Sequence, residues 1–455
     1  MIMSCYRRNC SLVVVFILLS IPLAAQEPLT LAEAVARALE SNPDLAIDAA
    51  GQQAAHSEFE AARAGYLPRL NFEQSYLAGN NPVFVFGTLL TQRRFTEENF
   101  ALPALNNPSP VNNLLTRFTL QQTIWDFGRT PDQRSRARLG IEIADQSHEA
   151  HVCQVLLEVF NSYYSISLAR DSLETARIAL RSAEAIELQA KARVDSGLAV
   201  EADLLRSRAY LSTVRQQEIQ AQGRLESAQM QLNRLMGNPL KTPMGTTAPL
   251  EAGDLNLPAE ESLLAEQKQR RPDYQSLLAE LREAEFAAKS RKNQYWPVLA
   301  GYGAWEMDNP SFSEYGGNNW AAGVTLSWNL LSSVSDSPQV EAARHRLEQK
   351  RRQVAAMESA MALEVHRALI EYRAAQQLVL AAQAAESQSE EGLRILRNRY
   401  DAGLATMTDL LSAETARSNA RTNLSEAIYR HRLSFAQVEY TAGILSPTSP
   451  AMNLQ

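Results

Sequence analysis

Few side chains in this sequence could do covalent chemistry. There are six histidines in 455 residues. His148 and His151 stand three apart, with Asp145 three residues earlier, a spacing that shares one helix face. His148-Glu149-Ala150-His151 is one residue too short between Glu and the second His for a zinc-hydrolase helix. No Glu-x-x-His pair recurs, as a di-iron helix bundle requires. Gly-x-Ser-x-Gly, a phosphate-cradling glycine loop and a paired-Cys motif are all absent from the sequence. The reading is no metal site, no cofactor and no enzyme. Two carboxylates remain, Asp203 and Asp409, at matching places in a duplicated stretch. Read from the residues, each stabilises a helix N-terminus by about 0.3–1 kcal/mol.

The duplicated stretch is Val194-Asp195-Ser196-Gly197-Leu198-Ala199-Val200-Glu201-Ala202-Asp203-Leu204-Leu205 and, 206 residues later, Tyr400-Asp401-Ala402-Gly403-Leu404-Ala405-Thr406-Met407-Thr408-Asp409-Leu410-Leu411. Each copy reads as a sharp turn between long helices. Gly197 and Gly403 sit where a helix ends in a left-handed residue. Thr406, three before Asp409, also resembles an N-cap arrangement.

The elements that position these turns follow from the rest of the chain. The formal net charge is -7, with 44 basic and 51 acidic residues interspersed. There is no basic stripe, and so no case for nucleic acid. Residues 1–25 read as a signal peptide: Arg7 and Arg8, an apolar run, then Leu23-Ala24-Ala25. No Cys follows that apolar run to carry a lipid, and Cys153 is the single Cys beyond it, which leaves no internal disulfide.

Residues 26–237 form a first repeat. Two short helices lead to a period-two run at 69–78, where Leu70, Phe72 and Tyr76 alternate with Asn71, Glu73 and Ser75. A second run at 116–125 sets Phe118, Leu120 and Ile124 against Thr119, Gln121 and Thr123. Between them, residues 80–113, with four prolines, read as a long loop. Long helices follow at about 131–194 and 200–236. Residues 238–258 read as an irregular equatorial link. A second repeat, 259–443, has strands at about 298–307 and 319–329 and helices at about 338–400 and 406–442. Residues 444–455 read as a loose tail. Val340, Leu347, Val354 and Met361 recur every seven residues, a period that implies supercoiled packing.

The fold class is thus mainly α with a small β part, built on long antiparallel coiled-coil helices. The four strands are about as long as membrane-crossing β-strands. Trp320 and Trp328 fall on one face and suit bilayer interfaces. Asn71, Glu73, Ser75, Thr119, Gln121, Thr123, Thr325, Ser327 and Asn329 suit a water-filled lumen. A small soluble sheet packed on helices suits the same strands. Four strands cannot close a barrel, and an open edge in lipid costs several kcal/mol per unpaired group. A membrane reading therefore requires several chains to pool their strands.

Leu29-Thr30-Leu31-Ala32-Glu33-Ala34-Val35 with Ala38-Leu39 and Asn42-Pro43 begins an ordered set of motifs. Leu67-Pro68 and Trp296-Pro297, Leu120-Gln121-Gln122-Thr123-Ile124-Trp125-Asp126-Phe127-Gly128 and the two Gly-Leu-Ala turns complete it. The set resembles the TolC-like outer membrane efflux protein family over nearly the whole chain. The resemblance implies a homotrimer, with a twelve-stranded transmembrane β-barrel in outer membrane lipid and an α-barrel crossing the periplasm. It implies an exit duct that docks to a periplasmic adaptor and an inner-membrane pump. Gly197 and Gly403 would be the periplasmic tips. Asp409 matches the first of two Asp positions in the family's acidic constriction, Ser412 stands at the second, and Asp203 matches the acidic position of the first copy. Ala405 replaces a basic residue that ties the tip closed in some members. The alternative is a soluble periplasmic coiled-coil scaffold that binds partners through its tips.

Overall fold

The computed structural model describes residues 29–453 other than 248, 254, 331 and 332. The expected signal segment lies outside them. Helix α1 (Leu31–Ser41) opens with a reciprocal cap: Glu33 N–H donates to Thr30 Oγ1 and Thr30 N–H to Glu33 Oε2. This satisfies two donors that a helix start leaves unpaired. Asn42 then caps α2 (Pro43–Arg63) and donates its amide to the Leu235 carbonyl at 2.9 Å. Pro68 closes the helical stretch and β1 (Arg69–Gly79) begins.

The segment expected to be a loop, 80–113, is instead folded. It holds α3 (Pro82–Thr91), a 3-10 turn at Glu97–Phe100 and α4 (Leu102–Asn106). Asn81 caps α3 ahead of Pro82 just as Asn42 caps α2 ahead of Pro43. Phe86, Phe95 and Phe100 pack edge-on within it. Strand β2 (Val111–Trp125) starts five residues earlier than expected.

Helix α5 (Arg129–Asp195) runs for 67 residues, about 100 Å at 1.5 Å per residue. Helix α6 (Glu201–Leu235) returns only about half as far. After the link come α7 (Glu260–Arg270), α8 (Pro272–Asn293), β3 (Val298–Asn309), β4 (Gly317–Ser327), α9 (Ser333–Asp401, 69 residues) and α10 (Met407–Thr441). Helix α9 begins ahead of Pro338 rather than at it; one proline removes a single ladder donor.

The main core sits halfway down, where the short return helices end. Val159, Phe160, Tyr163, Leu232, Val365, Phe435 and Val438 are buried there together with Ala34 and Val35 of α1. Polar side chains of the long helices hold the link in place. Tyr163 Oη donates to the Leu29 carbonyl, Arg170 to that of Thr246 and Arg432 to that of Glu251. The tail, expected to be loose, is docked: Leu445, Ala451 and Met452 are buried in this core, and the Ala451 N–H donates to Glu439 at 3.3 Å. Three apolar side chains out of water outweigh the freedom of so short a segment.

The four strands form one antiparallel sheet in the order β1-β2-β3-β4. Gln92 and Arg93, just after α3, fasten the folded 80–113 segment to it. Gln92 donates to the Asn112 carbonyl and Arg93 to that of Asn318. Gly317 permits this approach, since a Cβ there would lie 2.0 Å from the Thr91 carbonyl oxygen. Strand β4 accordingly starts and ends two residues before the expected span, leaving Trp328 and Asn329 beyond its end.

Candidate functional site: the helical tips and the uncovered sheet

The tips lie at the far ends of α5 and α9. Both turns close in the same way. Gly197 N–H donates to the Val194 carbonyl and Leu198 N–H to that of Arg193; Gly403 and Leu404 repeat this with Tyr400 and Arg399. Gly197 has φ 70° and Gly403 φ 74°, backbone that a Cβ disfavours. The helices that follow start differently. Asp409 accepts from the Thr406 hydroxyl at 2.7 Å and from its N–H at 2.9 Å, while its own N–H donates back to Thr406. Those bonds, the hydroxyl's first, hold the Asp409 carboxyl below the ordinary carboxylate range. Val200 offers α6 no such cap, and Asp203 instead pairs with Arg206 at 3.4 Å. Ser412 is exposed, one turn beyond Asp409.

The structure adds a link between the tips that the sequence reading missed. Arg193, in the last turn of α5, donates to the carbonyls of Tyr400 and Asp401 at 3.2 and 3.1 Å. Its guanidinium also stands 4.6 Å from the Tyr400 ring centroid. A cation at a helix C-terminus meets unpaired carbonyls and the negative end of the helix dipole. Gln189 donates to the Asp401 carboxylate at 2.9 Å. Higher up, buried Glu414 accepts from Ser182 at 2.8 Å and pairs with Arg397, joining α5, α9 and α10. The signal for Arg193 was present, a basic residue in a last helical turn. Its partners lie more than 200 residues away, where periodicity does not reach.

At the other end of the molecule, strand register places the proposed lumen residues. Asn71 pairs with Thr119 and Arg69 with Gln121; Thr123 pairs with Ala300, which pairs with Thr325, and Val298 pairs with Ser327. Directly paired residues share a face, so Asn71, Glu73, Ser75, Thr119, Gln121, Thr123, Thr325 and Ser327 all lie on one face. Asn329 is outside the strand. Arg117 joins the polar face between Glu306 at 2.9 Å and Glu73 at 3.5 Å. The opposite face carries a row of Phe72, Phe118, Trp305 and Trp320 across all four strands, with Leu70, Leu120, Val324 and Leu326 beside it.

Among the described residues none covers that apolar face. Phe72 is 60 % exposed and Trp320 79 %. Among the described residues the helix that reaches the sheet is the short α3, against β2 and β4, and the long helices do not pack on it as a backing layer. Trp328 donates its indole N–H to the Tyr295 carbonyl at 3.0 Å, at the junction of sheet and helices. There it joins Trp125, Phe127 and Trp296, of which Phe127 and Trp296 stack at 5.2 Å. Arg129 braces this junction through the carbonyls of Asn293, Gln294 and Trp296. Among the described residues no group of His, Cys, Asp and Glu could hold a metal ion, and no helix is long and apolar enough to cross a membrane.

Long paired helices and a sheet divided into one polar and one exposed apolar face are the architecture of an outer-membrane channel chain. The comparisons with known proteins agree. A family described as outer membrane efflux protein matches residues 34–238 and 263–443, and the chain belongs to that family. It is 24 % identical to the alkaline protease secretion protein AprF of Pseudomonas aeruginosa, over 90 % of this chain and 83 % of that protein. It is 25 % identical to the outer membrane protein TolC of Vibrio cholerae, over 91 % of each. The Campylobacter jejuni CmeC outer membrane channel has the same fold, with a TM-score of 0.79 at 19 % identity, covering 92 % of this chain and 87 % of that one. The chain is an outer membrane protein that reaches into the periplasm, and its function is that of an exit duct for efflux or secretion.

Proposed function

We propose that three copies of the chain assemble into one duct. Three four-stranded sheets joined edge to edge give a twelve-stranded barrel in the outer membrane, and the long helices of three copies give an α-barrel across the periplasm. The observation that carries this reading is the sheet itself. Its apolar face is uncovered, its polar face carries Asn71, Glu73, Thr119, Gln121 and Thr325, and β1 and β4 are unpaired edges. Large exposed apolar faces mark membrane or protein contact, and only closure removes an edge.

In this assembly the aromatic cluster of Trp125, Trp296 and Trp328 lies at the periplasmic membrane interface. The Gly197 and Gly403 turns form the narrow end, where Asp203 and Asp409 line the passage and favour cations. A periplasmic adaptor, coupled to an inner-membrane pump, docks on the tips, where Leu198 and Leu404 are 79 % and 69 % exposed.

The test is single-channel conductance of the detergent-purified protein, with its mass determined alongside. A trimer giving small, cation-selective currents is expected. A monomer that stays soluble without detergent and is silent in the bilayer would leave the scaffold reading in its place. Asp203→Ala with Asp409→Ala should raise conductance and weaken cation selectivity. Unchanged currents would remove the gate role alone.

A further inference from the structure

A cleft of about 460 Å³ lies where α8 ends and α9 begins, lined by Lys292, Tyr295, Trp296, Ser337, Glu341 and Arg344 among others. We propose that it binds the phosphodiester headgroup of an anionic phospholipid in the leaflet facing the periplasm. The proposal rests on the membrane reading of the sheet and names a lipid partner for its lower rim.

Three observations carry it. The first is charge. Lys292 and Arg344 are exposed and have no ion-pair partner among the described residues, while several cations farther along the same helices do. Lys289 pairs with Asp132, Arg136 with Glu283, and Arg351 with Glu285. With Glu341 the cleft carries a net charge of about +1 at neutral pH. A lysine serves a phosphate as a point charge and an arginine grips it with a planar fork. Glu341 adds an acceptor suited to a headgroup hydroxyl.

The second observation is rigidity. Trp296 stacks on Phe127, and its carbonyl is held by Arg129 at 2.8 Å. Tyr295 is held by the Trp328 indole. Arg291 bonds Gln294 and Gln339 and so ties the end of α8 to the start of α9. The wall of the cleft is therefore set before any ligand arrives, which reduces the entropy lost on binding.

The third is location. Trp296, Trp328 and Leu330 are more than half exposed at the junction of sheet and helices. Indoles favour the depth at which acyl chains meet headgroups. Basic groups one step toward the helices then stand at phosphate depth, and this favours a lipid phosphate over a free one. The first repeat lacks the arrangement: Arg63, which matches Lys292 in the duplication, is paired to Glu60 at 2.9 Å.

The experiment places the full-length protein in phosphatidylcholine vesicles with and without phosphatidylglycerol. It reads thermal unfolding, and also the lipid retained by native mass spectrometry after detergent extraction. Wild type is expected to keep phosphatidylglycerol and to unfold several degrees higher in its presence. Lys292→Gln with Arg344→Gln should lose most of both effects. Arg63→Gln with Arg138→Gln, a matched loss of charge in the first repeat, should keep them. Arg344→Gln alone, on the exposed side of α9, should lose part and serves if the double variant fails to assemble. Equal lipid retention by wild type and the Lys292/Arg344 variants would overturn the site. An equal thermal shift from glycerol phosphate or inorganic phosphate in detergent would overturn the lipid and leave a free-anion cleft. Conductance read on the same preparations separates the two levels. Protein that inserts and conducts while showing no lipid preference sinks only this proposal, whereas protein that enters no vesicle removes the membrane reading beneath it.

Discussion

At the ends of α5 and α9 the chain makes the same turn, but the two tips are supported differently. In the second tip Tyr400, Met407 and Leu410 are all nearly fully buried, and Thr406 and Asp409 cap the next helix. The corresponding positions of the first tip hold Val194, Glu201, Leu204, Val200 and Asp203. Of these Val200 is 63 % exposed and caps nothing. The first tip depends instead on Arg193, which reaches across to the carbonyls of the second. Duplication supplied the backbone path, and a few side-chain differences made one tip self-supporting and the other a dependant. Under the proposed gate, the first tip would be the one with fewer contacts of its own to hold it.

The comparison breaks most readily at the buried layer. Leu410→Ala should cost about 2–5 kcal/mol of local stability, the range for a buried leucine that leaves a cavity, because Leu410 is 1 % exposed in the tip cluster. Leu204→Ala, at the rim of the same cluster, should cost less. Hydrogen exchange of the first turns of α6 and α10 reads both. Equal losses would mean that the two tips are packed alike.

Arg193→Ala should come next, at about 1.5–3 kcal/mol for charge-assisted hydrogen bonds, and should increase channel opening in a planar bilayer. Arg399→Ala is the internal control. Arg399 occupies the matching place, yet its hydrogen bond, at 3.4 Å, is to the Leu404 carbonyl of its own turn, and its charge is the smallest of the causes acting on the Asp409 carboxylate. Its loss should fall within about 0.5 kcal/mol, as for an ordinary surface change. If the two variants behave alike, Arg193 is not the strut between the tips.

How far the sequence reached differs along the chain for physical reasons. The turns, the helix spans and the sheet faces were legible because each has a local period or a local breaker. Gly197 and Gly403 mark the turns, and alternation from Leu70 to Tyr76 marks a strand. The folded segment between β1 and β2 was masked by its prolines, although Asn81-Pro82 carried the same cap signal as Asn42-Pro43. Strand β4 was read two residues late because its start is set by Gly317 against Thr91, far along the chain. Arg193, Arg397 and Glu414 stayed hidden for a similar reason: what matters about them is a partner on another helix. The tail looked loose because two prolines near its end say nothing about the core that receives Met452.

A substitution that removes the asymmetry would sharpen the comparison further. Val200→Thr places a hydroxyl three residues ahead of Asp203, as Thr406 is ahead of Asp409. It should give α6 the reciprocal cap it lacks and stabilise the first tip by about 0.5–1 kcal/mol. Slower exchange at the start of α6 and smaller currents are the expected readouts. No change would mean that the Arg206 pairing already holds Asp203 in place.

The smallest effect separates the tips by pH. Asp409 is fully exposed, and its carboxylate is favoured in the folded tip by the Thr406 hydroxyl and N–H. A group whose pKa is lowered on folding contributes stability above its unfolded value, about 3.9 for aspartate, and loses it as pH falls through the lower folded value. The start of α10 should therefore be intact at about pH 5 and fray once pH has fallen below the ordinary aspartate value of about 3.9. The start of α6 has no reciprocal cap to lose, and its Asp203–Arg206 pair at 3.4 Å is partly exposed and worth little. Limited pepsin cleavage, active across that range, can follow both. Thr406→Val should abolish the step in α10, and Val200→Thr should introduce one in α6. If acid loosens α6 and α10 in parallel in wild type, the cap is not what distinguishes the second tip, and burial of Met407 and Leu410 must account for the whole difference.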